Sequence, residues 1–148
     1  MPLKTSIQED MKAALRAGDR ARLGVIRMLL AAVKQREVDE RRELDDPAIL
    51  QVVEKLIKQR REAAAQFGSA GRDDLEQKEL SEISVLQQYL PEPLTEAELD
   101  ALIRDVIETT GASGIRDMGK VMSAIRERAQ GRAEMSRVSA RVKALLNP

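Results

Sequence analysis

Two glycines set among arginines are the residues of this 148-residue chain best suited to chemistry. They stand in GKVMSAIRERAQGRAEMSRV, residues 119–138, where Lys120, Arg126, Arg128 and Arg132, with Arg116 just before the stretch, surround Gly119 and Gly131. A glycine on a helix face lets a phosphate or another backbone approach closely, and guanidinium groups grip phosphate through paired N–H donors. On a wheel of about 100° per residue, Gly119 and Ser123 fall together beside the apolar cluster, with Arg116, Lys120 and Arg126 around them. Gly131 suits the end of that helix, because glycine takes the left-handed conformation there without steric cost. Arg137 and Arg141 are four apart and share a face of the following helix. The same pattern also reads as a plain helical hairpin whose arginines sit favourably at a helix C-terminus. The residues alone leave both readings open.

Little else in the chain suggests chemistry. There is no histidine and no cysteine, which excludes Ser-His-Asp and Cys-His catalysis, thiol redox chemistry, and nearly all zinc and haem ligation. Neither GxGxxG nor GxxxxGK[ST] occurs, and FGSAGR lacks the lysine and strand context of a phosphate loop, so it reads as a helix–helix turn. In QREVDERREL acids and bases interleave, the pattern of a solvated face laced with ion pairs rather than a metal or acid–base site. In KLIKQRRE, Lys55, Lys58 and Arg61 read as a solvated flank beside an apolar stripe. No catalytic residue, cofactor site or metal site is expected.

The elements that must carry these residues are helical. Apolar residues make up 43% of the chain and aromatic ones 1%, so the core is aliphatic and favours helix over sheet. Seven helices can be read. The first spans about residues 3–17, with Ile7, Met11 and Leu15 on one face. Asp19 caps a long second helix carried by Leu23, Ile26, Leu30 and Val33. An Asp cap and Pro47 start the third, whose stripe is Ile49, Val52, Val53, Leu56 and Ile57. The fourth buries Leu75, Leu80, Ile83, Leu86 and Leu90. YLPEP then holds the chain extended, and Thr95 with Glu98 forms a capping-box pattern. Three short helices follow, on Leu99 to Ile107, Ile115 to Ile125 and Met135 to Leu146. The expected fold is all-α, with an N-terminal four-helix domain, residues 1–90, and a small C-terminal three-helix domain, residues 94–148.

Charge is balanced over the chain, 25 basic residues against 25 acidic, which argues against indiscriminate coating of nucleic acid. The C-terminal third is nonetheless polarised. Residues 91–110 carry six acidic residues and one basic, and residues 111–148 carry eight basic and three acidic. No apolar run approaches the roughly 20 residues that span a bilayer, and no apolar signal core opens the chain. The expected location is cytoplasmic, with no membrane partner.

Across nearly its whole length the sequence resembles the YqeY family of small bacterial proteins, through EDMKAALRAGD, VIRMLLAAVK, AGRDDLEQKE, YLP, TGAS, DMGKVM, and GRAE followed by VKALL. Its C-terminal part is also similar to the tail domain of GatB, a subunit of the glutamine-dependent amidotransferase that corrects misacylated tRNA. That tail pattern falls here on Gly119, Val121, Met122, Gly131, Arg132 and Ala133, with Glu134 where Asp or Asn is usual. The resemblance implies an all-α fold and a tail that engages tRNA. The family label implies carbon–nitrogen ligase activity with glutamine as amido-N-donor, chemistry that in the amidotransferase resides in other domains and subunits. The expectation is a non-catalytic, tRNA-associated binding module that contacts structured RNA through Arg116, Gly119, Lys120, Arg126, Arg128, Gly131, Arg132, Arg137 and Arg141. The alternative is a protein-interaction adaptor for an aminoacyl-tRNA synthetase or an amidotransferase.

Overall fold

A computed structural model describes residues 1–147. Among them the regular elements are all helical: α1 (Leu3–Ala17), α2 (Arg20–Glu40), α3 (Asp46–Ser69), α4 (Asp73–Gln87), α5 (Glu96–Thr110), α6 (Met118–Ala129) and α7 (Met135–Leu146), with a 3-10 turn (Ile115–Asp117) before α6. The chain divides into two compact units, Met1–Leu90 and Pro91 onward.

In the first unit, local chemistry sets the helix ends. Gly18 closes α1 at φ 69°. The Asp19 side chain accepts the Arg22 N–H and opens α2. Asp45 does the same for α3 through the Ala48 N–H, ahead of Pro47 in the first turn. Ile7, Ile26, Leu29, Val33, Ile49, Val53 and Leu86 are fully or almost fully buried together. Each such side chain contributes about 1.5–3 kcal/mol through burial.

Two polar ties hold this core in register. Glu37 is buried, accepting from Lys4 Nζ at 2.9 Å and from the Leu44 N–H at 2.9 Å. It therefore fixes α1 and the α2–α3 connection to one point, and these donors hold its carboxyl below the ordinary value of 4.5. Arg60, also buried, donates to Glu82 at 3.0 Å and to the Leu56 carbonyl, clamping α3 to α4. Tyr89 donates its hydroxyl to Asp10 at 2.7 Å and closes the end of α4 onto α1. Burial and that carboxylate raise the phenol above its ordinary range.

In the second unit the Thr95 hydroxyl accepts the Glu98 N–H while the Glu98 carboxylate accepts the Thr95 N–H, a complete capping box at the start of α5. Gly111 ends α5 at φ 69°. Ile103, Val106, Val121, Ile125, Val138 and Val142 form the buried centre.

Three expected core positions are corrected. Leu15 is 60% exposed, Ile115 45% and Leu80 41%. A four-residue step advances about 40° around a helix, so Ile7, Met11 and Leu15 spiral away from one another. The seven-residue step brings Ala14, not Leu15, back beneath Ile7, and Ala14 is buried. Leu80 is likewise rotated away from the Ile83 and Leu86 side of α4, and Ile115 belongs to the 3-10 turn rather than to α6. The interleaved stretch at the end of α2 is not wholly solvated either, because Glu37 points inward.

Candidate nucleic-acid interface

The structure divides eight of the nine candidate residues into two groups and makes the ninth, Gly131, a buried corner. Arg128, Arg132, Arg137 and Arg141 are committed to the acidic helix α5 and the segment before it. Arg128 donates to Asp105 at 2.6 Å, Arg137 to Glu96 at 2.5 Å, and Arg141 to both oxygens of Asp100 at 2.6 and 2.8 Å. The Arg141 fork and the Asp100 carboxylate match in the bidentate geometry that strengthens such a pair. It lowers the Asp100 carboxyl below its ordinary 3.8 and raises the Arg141 guanidinium. The charge polarisation of the C-terminal third is thus largely spent inside the unit, α5 against α6 and α7.

Arg132 has a backbone role. Its Nε donates to the Glu92 carbonyl at 2.9 Å, and its own carbonyl accepts the Leu94 N–H at 2.8 Å. A looser ion pair to Glu98 at 3.9 Å completes the clamp. The corner between α6 and α7 is thereby stitched to the strand-like PEP segment that leads into α5. Gly131 makes that corner possible: it is buried at φ 76°, in the left-handed region that disfavours a side chain.

Arg116, Gly119, Lys120 and Arg126 form the second group. All four are exposed, and among the described residues the three cations make no ion pair. Gly119 is the second residue of α6, with ordinary backbone geometry, and a Cβ built on it meets nothing within 4 Å. The fold requires neither its flexibility nor its small size. The first turn of α6 contains no acid. Asp117, just before it, uses its carboxylate to accept the Ser113 N–H at 3.0 Å. Glu127, the one acid on α6, lies eight residues beyond Gly119, about 12 Å along the axis. What remains is an open patch of exposed helix surface bordered by three cations without ion pairs among the described residues, suited to an anion with several oxygens.

Sequence reasoning missed the buried partners Glu37 and Arg60. Their signal was present: Arg60 falls on the stripe of Ile49, Val53, Ile57 and Ala64, where an arginine must find a partner or cost several kcal/mol. Among the described residues no group of three or more acidic residues could hold a metal ion, and no helix is long and apolar enough to cross a membrane.

The model of the YqeY family, described as Yqey-like protein, matches residues 4–146. Relatives named Altered inheritance of mitochondria protein 41, mitochondrial, are similar to the chain. That of Eremothecium gossypii is 38% identical over 113 residues, covering 72% of this chain and 62% of the relative. That of Lachancea thermotolerans is 35% identical over 105 residues, covering 69% and 56%. That of Pyrenophora tritici-repentis is 31% identical over 129 residues, covering 86% and 71%. The chain therefore spans less than two thirds of the length of the first two. Their names also overturn the expectation of a cytoplasmic protein, which rested on the lack of an apolar run and of an apolar signal core. Any reducing aqueous compartment accepts such a composition, so it carries no address.

Proposed function

The chain belongs to the YqeY family, and we propose that it is a binding module that contacts the backbone of structured RNA through the exposed face of α6. On this reading the units act as an N-terminal four-helix domain and a C-terminal three-helix domain, with the contact in the second. One observation carries the proposal. Arg116, Lys120 and Arg126 stay unpaired around an exposed Gly119 that the fold does not need, in a unit that pairs its other α6–α7 arginines internally. The near absence of aromatic side chains disfavours stacking on unpaired bases, which leaves shape and phosphate as the features recognised. The paired arginines serve as a frame, so the RNA-contacting set narrows to Arg116, Gly119, Lys120 and Arg126.

The test is tRNA binding by the full chain as a function of salt. Each phosphate contact contributes about 0.7–0.9 to the log–log salt slope. The triple substitution Arg116→Ala, Lys120→Ala, Arg126→Ala is expected to flatten the slope by about 2–3. An unchanged slope, or no tRNA binding by the wild type at low salt, refutes the proposal.

A further inference from the structure

The first unit carries a second exposed face built on a different pattern. Residues 1–36 contain eight basic residues and three acidic ones. All three acids are engaged: Glu9 with Lys12, Asp10 with Tyr89 and Arg22, and Asp19 with the Arg22 N–H. Lys4, Lys12, Arg22 and Arg36 have partners of their own. Arg16, Arg20, Arg27 and Lys34 are exposed and make no ion pair among the described residues.

Three of these cations lie on one line, Lys34 within the electrostatic reach of the Glu37 carboxylate. Arg20, Arg27 and Lys34 recur every seven residues along α2, a rise of about 10.5 Å per step. Beside them runs a second seven-residue line, Gly24, Ala31 and Val38, all exposed, with Val38 at 59%. At the α1–α2 corner the face deepens into a groove of about 450 Å³ lined by Leu15, Gly18, Arg20, Leu23, Gly24 and Arg27. Leu15 lies 60% exposed in its wall. Gly24 lies in the interior of α2, where glycine weakens a helix relative to alanine. A Cβ there meets nothing within 4 Å, and its backbone is ordinary helix. Neither conformation nor packing within the unit explains a glycine at that position.

We propose that this face of α2, with Leu15 of α1, is a docking site for an acidic amphipathic helix of a partner protein. Adjacent lines of small apolar residues and of cations, both with a seven-residue period, are the complement of a helix with apolar a and d positions and carboxylates on its flank. Gly24 and Ala31 let the two backbones approach closely, Leu15 and Val38 supply apolar contact, and Arg20, Arg27 and Lys34 meet the carboxylates. An RNA backbone would use the cations and leave Leu15 and Val38 without function. This site is separate from the α6 face, and its failure would leave the RNA reading untouched.

The experiment measures binding of a synthetic 21-residue peptide to the full chain by fluorescence anisotropy. The peptide carries Leu at a and d and Glu at e and g; its control has the same composition with the apolar heptad scrambled. The expected result is saturable binding of the first peptide and at least tenfold weaker binding of the control. Arg20→Glu with Arg27→Glu is expected to weaken binding at least tenfold. Gly24→Leu is expected to weaken it to a similar degree while every cation remains, with circular dichroism verifying that both variants stay helical. Equal binding of the two peptides reduces the face to general anion attraction and overturns the proposal. So does wild-type affinity in Gly24→Leu, absence of binding, or loss of tRNA binding in the Arg20→Glu, Arg27→Glu variant.

Discussion

In the C-terminal unit Arg128, Arg137 and Arg141 meet the carboxylates of α5, whereas in the N-terminal unit Arg20 and Arg27 of α2 make no ion pair among the described residues and Lys34 has only the through-space attraction of Glu37. The two stretches have similar composition: residues 111–148 and residues 1–36 each carry eight basic residues and three acidic ones. Basic content therefore did not decide which arginines are free. The helix packed alongside did. α5 offers Glu96, Asp100 and Asp105 toward α6 and α7, while the acids of α1 and α2 are used for a cap, an i,i+3 pair, a tyrosine and, at the end of α2, for Lys4 and Leu44 (Glu37), Gln35 (Asp39) and Arg36 with Arg42 (Glu40). Arginine-rich segments stay open to solvent only where no neighbouring helix answers them.

The hardest test of this contrast removes the scaffold beneath the C-terminal pairs. Ile103 is completely buried in α5, and truncating such a residue costs about 2–5 kcal/mol. A unit near 60 residues has little stability to spare. Ile103→Ala is expected to unfold the second unit while the first keeps its amide dispersion in NMR spectra. Loss of structure throughout the chain would show that the units do not fold separately.

A gentler perturbation would convert one type of face into the other. Glu96→Gln with Asp100→Asn removes the carboxylates that engage Arg137 and Arg141. Two released guanidinium groups are expected to make tRNA binding more salt-sensitive, steepening the slope by about 1–2. If the slope does not change, pairing was not what kept those arginines from RNA.

The all-α architecture was legible because its signals are local: Asp19 and Asp45 as caps, Pro47 in a first turn, the Thr95–Glu98 box and Gly131 at a corner each act within a few residues. The candidate site was only partly legible. Gly119 and its cations could be grouped from helical spacing, but the partners of Arg137 and Arg141 lie 41 residues away. Which arginine is answered depends on helix packing that no spacing rule contains. The same limit hid the exposure of Leu15, where a four-residue step was read as constant in direction although it turns about 40° each time. It also hid Glu37, whose partner Lys4 lies on another helix.

Acid titration should separate the two regions by the depth of their carboxylates. Glu37, Glu98 and Asp100 all have folded values below their ordinary 4.5, 4.5 and 3.8. A depressed carboxyl contributes stability that is complete above its unfolded value and is lost as pH falls through the folded one. Thermal unfolding is therefore expected at progressively lower temperature below about pH 4.5. Glu37→Gln should lower the melting temperature of the first unit at pH 7 and flatten its acid dependence. Asp100→Asn should affect only the second unit, and less, because its pair is more exposed than Glu37. Equal losses would mean that burial of Glu37 adds nothing to its tie.

The smallest effect tests whether free cations on α2 belong to a face kept open for a partner. Gly24→Ala places a methyl group in open space on an interior helical residue. Alanine is favoured over glycine there by about 0.5–1 kcal/mol, which raises the melting temperature by roughly 2–8 °C in a unit of this size. The variant is expected to be more stable yet to bind the acidic peptide more weakly, since the methyl separates the two backbones. Stability and binding moving in opposite directions would identify Gly24 as a residue that serves contact rather than folding. A destabilised Gly24→Ala would place its role inside the first unit and remove the strongest structural support for the docking face.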